Sequence, residues 1–228
     1  RAQSGNERSD NKLERKRTQW QQAWGRKRDV GVDKNEQVAA DTKVDKLLAE
    51  RALARPISEA RALVIGGGSV GLFAALTLAH RGVTRLTLAD TNLLRRKSAE
   101  KTGVAEIINP IDHPAADSSF DLVIDAVGGK ASRQASVASV VPGGVIMHIG
   151  LMDNNDGLDI RRITLQEIKF IGTYTYTPVD LRNTLRHLHS GALGKLDWID
   201  ERPLAEGAKA FKQLNSGDCG APKVILRP

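Results

Sequence analysis

Apolar residues along this chain fall in short runs from Arg61 onward and are almost missing from residues 1–36. Runs bounded by glycine, proline or aspartate read as buried strands, whereas apolar positions three and four apart read as helices. The pattern predicts strands over 61–66, 85–90, 105–108, 120–126, 145–149 and 168–173. Helices are expected over 69–81, 92–102, 130–140 and 179–190, and a further helix, 204–214, precedes a last strand, 223–226. The stretch IDHPAADSS, broken by Pro114, is too short for a full helix and reads as a loop or a single turn. Strands separated by helices need right-handed crossovers, so the expected fold class is α/β, a doubly wound parallel sheet of six strands covered on both faces. Residues 59–194 hold that sheet, with Gly191 and Gly194 at its end and 195–228 as a tail. Ahead of it, 1–36 reads as a basic, flexible segment and 37–58 as a helical linker, in which Val44, Leu47, Leu48 and Ala52 recur at helical spacing until Pro56.

The stretch from Arg61 to Asp90, RALVIGGGSVGLFAALTLAHRGVTRLTLAD, joins a strand, a glycine turn, a helix and a second strand that ends on one carboxylate. Gly66 lets the chain turn sharply, Gly68 leaves room for a pyrophosphate to reach main-chain N–H groups, and Gly71 lets the helix pack close to the strand. The helix opening at Ser69 and Val70 offers its positive end to the phosphates. Asp90 stands where a carboxylate accepts both hydroxyls of an adenosine ribose. A glycine turn alone often binds nothing; with strand, helix, second strand and acid all in place, the unit reads as a dinucleotide-binding Rossmann sheet. Its crevice lies at the carboxyl ends of the first and fourth strands. The charge of Asp90 repels a 2′-phosphate, which favours NAD over NADP. Arg95 and Arg96 pull the other way, since a guanidinium on the following helix could clamp that phosphate, although both also suit a solvated helix face. Asn92 is expected to cap this helix.

Charge and cysteine content add limits. The net charge of +7 owes much to Arg15, Lys16, Arg17, Arg26, Lys27 and Arg28, which bracket Trp20 and Trp24. No nucleic-acid-binding signature accompanies them, so a solvated arm is the reading and a nucleic-acid partner is not expected. The single Cys219 excludes a disulfide framework and a multi-cysteine zinc site within the chain. No apolar run reaches the roughly 20 residues of a spanning helix and no leader is recognisable, so a soluble, cytoplasmic protein without a membrane partner is expected. The first residue is Arg, which fits a processed or truncated piece.

Among candidate chemical groups, His148 in a strand reads as a satisfied core residue. His187 and His189, two apart on a helix, point in different directions and cannot chelate together. His80 falls at a helix end, His113 in a loop, and Cys219 lacks a partner base. Ser69 reads as a helix cap rather than a nucleophile. No triad emerges, and the catalytic residues stay unknown.

From Arg61 to Pro228 the order of motifs closely resembles the cofactor-binding half and C-terminal return of the medium-chain dehydrogenase/reductase superfamily, the zinc-dependent alcohol and polyol dehydrogenase-like proteins. The resemblance rests on VIGGGSVG, LADTNLLRRKSAEKTGVAEIINP, FDLVIDAVGG, PGGVIMHIGL and the closing GAKAFKQLNSG and KVILRP. It implies an NAD-dependent oxidoreductase that transfers hydride between a secondary alcohol or polyol and nicotinamide, and a possible homo-oligomer. It further implies that Ala126, Val127 and Gly128 line the nicotinamide ribose with backbone, that Ile149, Gly150 and Leu151 meet the carboxamide, and that Lys223 lies near the pyrophosphate. Residues 195–228 become the return segment of an incomplete catalytic domain. The family's zinc ligands come from a GroES-like domain ahead of the sheet, yet no Cys or His precedes Gly66, so no ligand carries over. Upstream of Leu47 the resemblance ends, as though the expected sequence were truncated, frame-shifted or replaced. The alternative is a catalytically inactive NAD-binding remnant or a partner-binding module.

Overall fold

A computed structural model describes residues 52–228, so the basic segment and most of the expected linker helix lie outside the described residues. The elements are β1 (Arg61–Ile65), α1 (Ser69–His80), β2 (Arg85–Ala89), α2 (Leu93–Glu100), β3 (Glu106–Ile108), β4 (Phe120–Asp125), α3 (Lys130–Ser139) and β5 (Val140–His148). They continue with α4 (Ile160–Leu165), β6 (Lys169–Gly172), α5 (Pro178–His189), β7 (Ile199–Pro203), α6 (Gly207–Ser216) and β8 (Lys223–Arg227). Six strands form one sheet in the order β3-β2-β1-β4-β5-β6, and each neighbouring pair is parallel. The strand order reverses between β1 and β4, which opens a crevice at their carboxyl ends.

The apolar runs explain this order. Ala62 to Ile65 and Leu122 to Ile124 are buried on both faces, as central parallel strands require. Alternate residues feed two cores: Ala62, Val64, Leu122 and Ile124 pack with α1, while Leu63, Ile65 and Val123 pack with Val137 of α3. Helix α1 is buried from Gly71 through Leu78, apolar all round, and forms the largest part of the first core. At the opposite end of the sheet, Asp121 Oδ2 accepts hydrogen bonds from the Arg61 N–H (2.9 Å) and Nε (3.2 Å), with Arg55 Nη1 3.6 Å from Oδ1. Burial alone would raise the Asp121 carboxyl, but the Arg61 N–H, its guanidinium and Arg55 together outweigh it and hold the group below its usual range.

Three differences from the expected elements have physical causes. Strand β5 starts at Val140 rather than 145, because Pro142-Gly143-Gly144 lies inside it as an irregularity: the register with β4 shifts between Phe120 and Leu122. Helix α4 was not expected; it is one capped turn and a half, started by Asp159, whose Oδ1 accepts the Arg162 N–H at 2.8 Å. Strand β7 was also not expected. Its residues IDERP pair in parallel with β8 in a separate two-stranded sheet. The chain leading to it is anchored on the main core, where Trp198 packs edge-on against Phe73 with ring centroids 4.8 Å apart.

Candidate functional site

Gly66 leaves β1 at φ +103°, a left-handed conformation, and its N–H donates to the Ala89 carbonyl at 2.8 Å. Gly71 lies so close under this turn that a Cβ there would overlap the Gly66 carbonyl. Gly68 differs: a Cβ built on it meets nothing within 4 Å, so the space above it is open. Gly68 is also the N-cap of α1 and supplies no side-chain cap, which corrects the expectation that Ser69 caps the helix. The first helical bond runs from the Leu72 N–H to the Gly68 carbonyl (2.9 Å). The N–H groups of Ser69, Val70 and Gly71 therefore precede the helical ladder, at the end of α1 where Gly68 leaves the space open.

Asp90 follows β2 and is nearly buried. Its Oδ2 accepts the Gly67 N–H at 2.6 Å and its Oδ1 accepts the Asn92 N–H at 2.6 Å. The carboxylate thus braces the glycine turn, and each oxygen keeps a lone pair for another donor. Asn92 caps α2 as expected: its Oδ1 accepts from Leu94 N–H (2.8 Å) and Arg95 N–H (3.1 Å). Its Nδ2 donates to the Gly217 carbonyl at 2.8 Å, and Ser98 Oγ donates to the Gly220 carbonyl at 2.6 Å, so the C-terminal segment is tied to α2. The two arginines separate. Arg96 Nη1 is committed to the Asp90 and Thr91 carbonyls at 2.8 and 2.9 Å, whereas Arg95 Nε is buried without a hydrogen-bond partner.

Across the crevice, Asp125 at the end of β4 organises both remaining segments, a role the sequence reading missed. Fully buried, it accepts at Oδ1 from the N–H groups of Val127 (3.0 Å) and Gly128 (2.8 Å). Its Oδ2 accepts from Ser132 Oγ at 3.0 Å and lies 3.1 Å from His148 Nδ1. Its carbonyl accepts the Ile149 and Gly150 N–H groups at 2.9 and 3.0 Å, and the Ala126 N–H goes to the Ile65 carbonyl at 2.9 Å. Five of the six N–H groups of 126–128 and 149–151 are therefore already bonded within the protein. Leu151 carries the remaining donor and is exposed. A signal for Asp125 existed: like Asp90, it is a lone carboxylate closing an apolar strand.

His148 is held by Asp125 and stacks on Phe170 with centroids 5.3 Å apart. His80 and His187 meet edge-on at 4.7 Å, and His113 is exposed in its loop. Cys219 is buried, its Sγ 3.9 Å from Arg202 Nη2. Lys223 opens β8 in the smaller sheet and has no hydrogen bond to the glycine turn. Clefts of about 430 and 540 Å³ lie elsewhere, one beside α3 and the 156–162 segment, the other at the amino ends of the strands.

The family model for zinc-binding dehydrogenases matches residues 69–190, more than half of the chain. The chain belongs to this family. It thereby falls within the medium-chain dehydrogenase/reductase superfamily. It is 25% identical over 184 residues to an L-threonine 3-dehydrogenase of Saccharopolyspora erythraea, an alignment covering 77% of this chain and 53% of the relative. It is 28% identical over 117 residues to a D-altritol 5-dehydrogenase of Agrobacterium fabrum, covering 50% and 35%. The acetophenone reductase of Geotrichum candidum, solved in complex with NAD, shares the fold with a TM-score of 0.73 at 18% identity, over 89% of this chain and 57% of that one. The chain spans about half the length of the L-threonine 3-dehydrogenases it matches.

The family's name implies zinc, and the described residues do not provide for it. Among the described residues no three His, Cys, Asp or Glu side chains gather as a metal site, and neither Cys nor His occurs before Gly66. The nucleotide cradle is different, because the uncapped helix, the open Gly68 and the braced carboxylate fit a dinucleotide. No helix among the described residues is long and apolar enough to cross a membrane.

Proposed function

We propose that this chain is the NAD-binding portion of an alcohol- or polyol-dehydrogenase-type oxidoreductase, which moves hydride between a secondary alcohol and nicotinamide. One observation carries the reading: an uncapped helix start faces open space at Gly68, with the Asp90 carboxylate alongside. Family membership and the NAD complex of a protein with the same fold support it.

NAD, when bound, supplies the ring that accepts or gives hydride. In this reading the N–H groups of Ser69, Val70 and Gly71 bind the pyrophosphate, which also meets the positive end of α1. The second lone pairs of the Asp90 oxygens accept the adenosine ribose hydroxyls, and its charge disfavours a 2′-phosphate. Arg95, with Nε unpartnered, is the cationic group left over at that end, since Arg96 is held on carbonyls. At the other end the carbonyls of Ala126 and Ile149 and the Leu151 N–H serve the nicotinamide half, because the neighbouring N–H groups are occupied. Lys223 is left without a role. The substrate class is a small alcohol or polyol, and the lone thiol suits a reducing cytoplasm. A second reading, a cofactor-binding remnant without turnover, is favoured by the lack of Cys and His before Gly66.

Fluorescence titration with NADH and NADPH tests the site. NADH is expected to bind more tightly than NADPH by about tenfold, a difference of about 1.4 kcal/mol. Gly68→Val is expected to abolish binding while circular dichroism stays unchanged. Equal affinity for the two cofactors refutes the role of Asp90, and unaffected binding by Gly68→Val refutes the cradle. A panel of alcohols and polyols at saturating NAD then separates an active enzyme from a remnant.

A further inference from the structure

We infer that Arg133 is a positioning residue for the nicotinamide half of the cofactor site, an inference that rests on the proposed function. Arg133 lies in the first turn of α3 and is only 6% exposed. A buried cation at the positive end of a helix is doubly unfavourable, through lost hydration and through the helix dipole. Its two terminal nitrogens are well supplied with acceptors. Nη1 donates to the Gly128 carbonyl at 2.8 Å and the Asp153 carbonyl at 3.2 Å. Nη2 donates to Asp153 Oδ1 at 2.7 Å, to the Asp156 carbonyl at 3.0 Å and to the Asn155 carbonyl. One planar fork thereby ties the turn after β4 to the loop after β5, the two backbone segments between which the nicotinamide half would lie.

The neighbouring groups all serve this junction. The Met152 and Asp153 N–H groups donate to the Val127 and Gly128 carbonyls at 3.1 and 3.2 Å, which zips the loop to the turn. Asp153 Oδ2 accepts the Lys130 N–H at 3.3 Å, so this carboxylate meets both the guanidinium and the helix start. The Arg133 hydrogen bond, ahead of the smaller effect of burial, holds the Asp153 carboxyl below its usual range. Gly157 ends the loop at φ +130°, so close to α3 that a Cβ there would meet the Lys130 carbonyl at 2.5 Å. With the loop clamped from Asp153 to Gly157, Leu151 and Met152 project outward, 79% and 72% exposed. Two apolar side chains held in water at a binding edge form a preorganised wall for a flat ring, and the Leu151 N–H stands with them.

The test compares two ligands on the full chain. NADH spans the site, whereas ADP occupies only the adenosine and pyrophosphate end. Both are titrated against the unmutated chain, Arg133→Gln and Arg133→Lys, with circular dichroism as the folding control. Arg133→Gln is expected to weaken NADH by about tenfold, because the loop must then be ordered on binding, and to leave ADP within about twofold. Arg133→Lys, which keeps the charge but not the fork, is expected to fall between. Hydrogen exchange at the Met152 and Asp153 amides accelerates in step with the loss of NADH affinity. Parallel weakening of NADH and ADP, or no weakening of either, overturns the inference. Failure of the unmutated chain to bind ADP or NADH overturns the proposed function itself, and the inference with it.

Discussion

Removing the Asp125 carboxylate separates a buried charge that merely fills space from one that organises the crevice. Asp125→Ala leaves four donors to be satisfied. Ser132 Oγ already lies 3.0 Å from the Gly129 carbonyl and can turn to it, and the half-buried His148 can take water. Gly128 is buried and Val127 half-buried, and both N–H groups are bonded to Asp125 Oδ1. Two orphaned donors cost about 1–3 kcal/mol each. Relief of a buried carboxylate offsets part of this, leaving a net loss of about 3 kcal/mol. Such a loss lowers the melting temperature of a chain this size by roughly 6–12 °C. Asp125→Asn keeps one oxygen for both main-chain donors. Its amide faces Ser132 Oγ, which accepts, and His148 Nδ1, which accepts in the other tautomer, so the expected loss is at most about 1 kcal/mol. Urea unfolding followed by far-ultraviolet circular dichroism measures both variants. Equal losses for Ala and Asn, or an Ala loss under about 1 kcal/mol, would refute the hydrogen-bond argument, since Asn keeps an acceptor for the main-chain donors and Ala keeps none.

Gly71→Ala forces a Cβ onto the Gly66 carbonyl and is expected to cost about 3 kcal/mol or more. Gly68→Ala, with nothing nearby, is expected to stay within about 0.5 kcal/mol in thermal melts, and equal losses at the two glycines would contradict the geometry. Asp121 has a depressed pKa, so its stabilising contribution is present above the unfolded value of about 3.9 and is lost as pH falls through the lower folded value. Asp121→Asn is therefore expected to lower the urea midpoint near neutrality and to match the unmutated chain in strong acid. A deficit that persists in acid would assign the effect to packing instead. Asp90→Ala is expected to weaken NADH and narrow its advantage over NADPH, as read by titration; an unchanged ratio would remove Asp90 from cofactor choice.

What could be read from the chain depended on where each residue's partners lie. Strands β1, β2 and β4 were legible because strands buried in the middle of a parallel sheet need apolar runs, and these runs end on punctuation: three glycines after β1, Asp90 after β2 and Asp125 at the end of β4. Strand β7 was not, because IDERP contacts only β8 within its sheet and keeps a half-exposed, charged face. Helix α4 has six residues, too few to display a period. In β5, Pro142-Gly143-Gly144 carries the signal of a turn, and only pairing with β4 keeps it in the strand. At the site, the glycines and Asp90 were visible because their roles follow from backbone freedom and a charge at a strand end. Asp125 presents the same local pattern, but its partners Ser132 and His148 are 7 and 23 residues away. Arg133 was invisible for a deeper reason. It bonds mostly to main-chain carbonyls, which no sequence distinguishes.

The reversal of strand order between β1 and β4 also sets a schedule for synthesis. β1 acquires β2 on one side soon after it emerges, but its other side waits for β4. The Arg61–Asp121 bonds that close this pairing join residues 60 positions apart. At about 5–20 residues per second, translation leaves that side open for roughly 3–12 s. Non-local parallel pairing takes about milliseconds to a second or so, so the wait for β4 to leave the ribosome sets the larger part of the time that the apolar stretch Ala62–Ile65 stays unsheltered. Slower codons between β3 and β4 would lengthen this interval, making that part of the message the place where yield of folded protein responds most to translation rate.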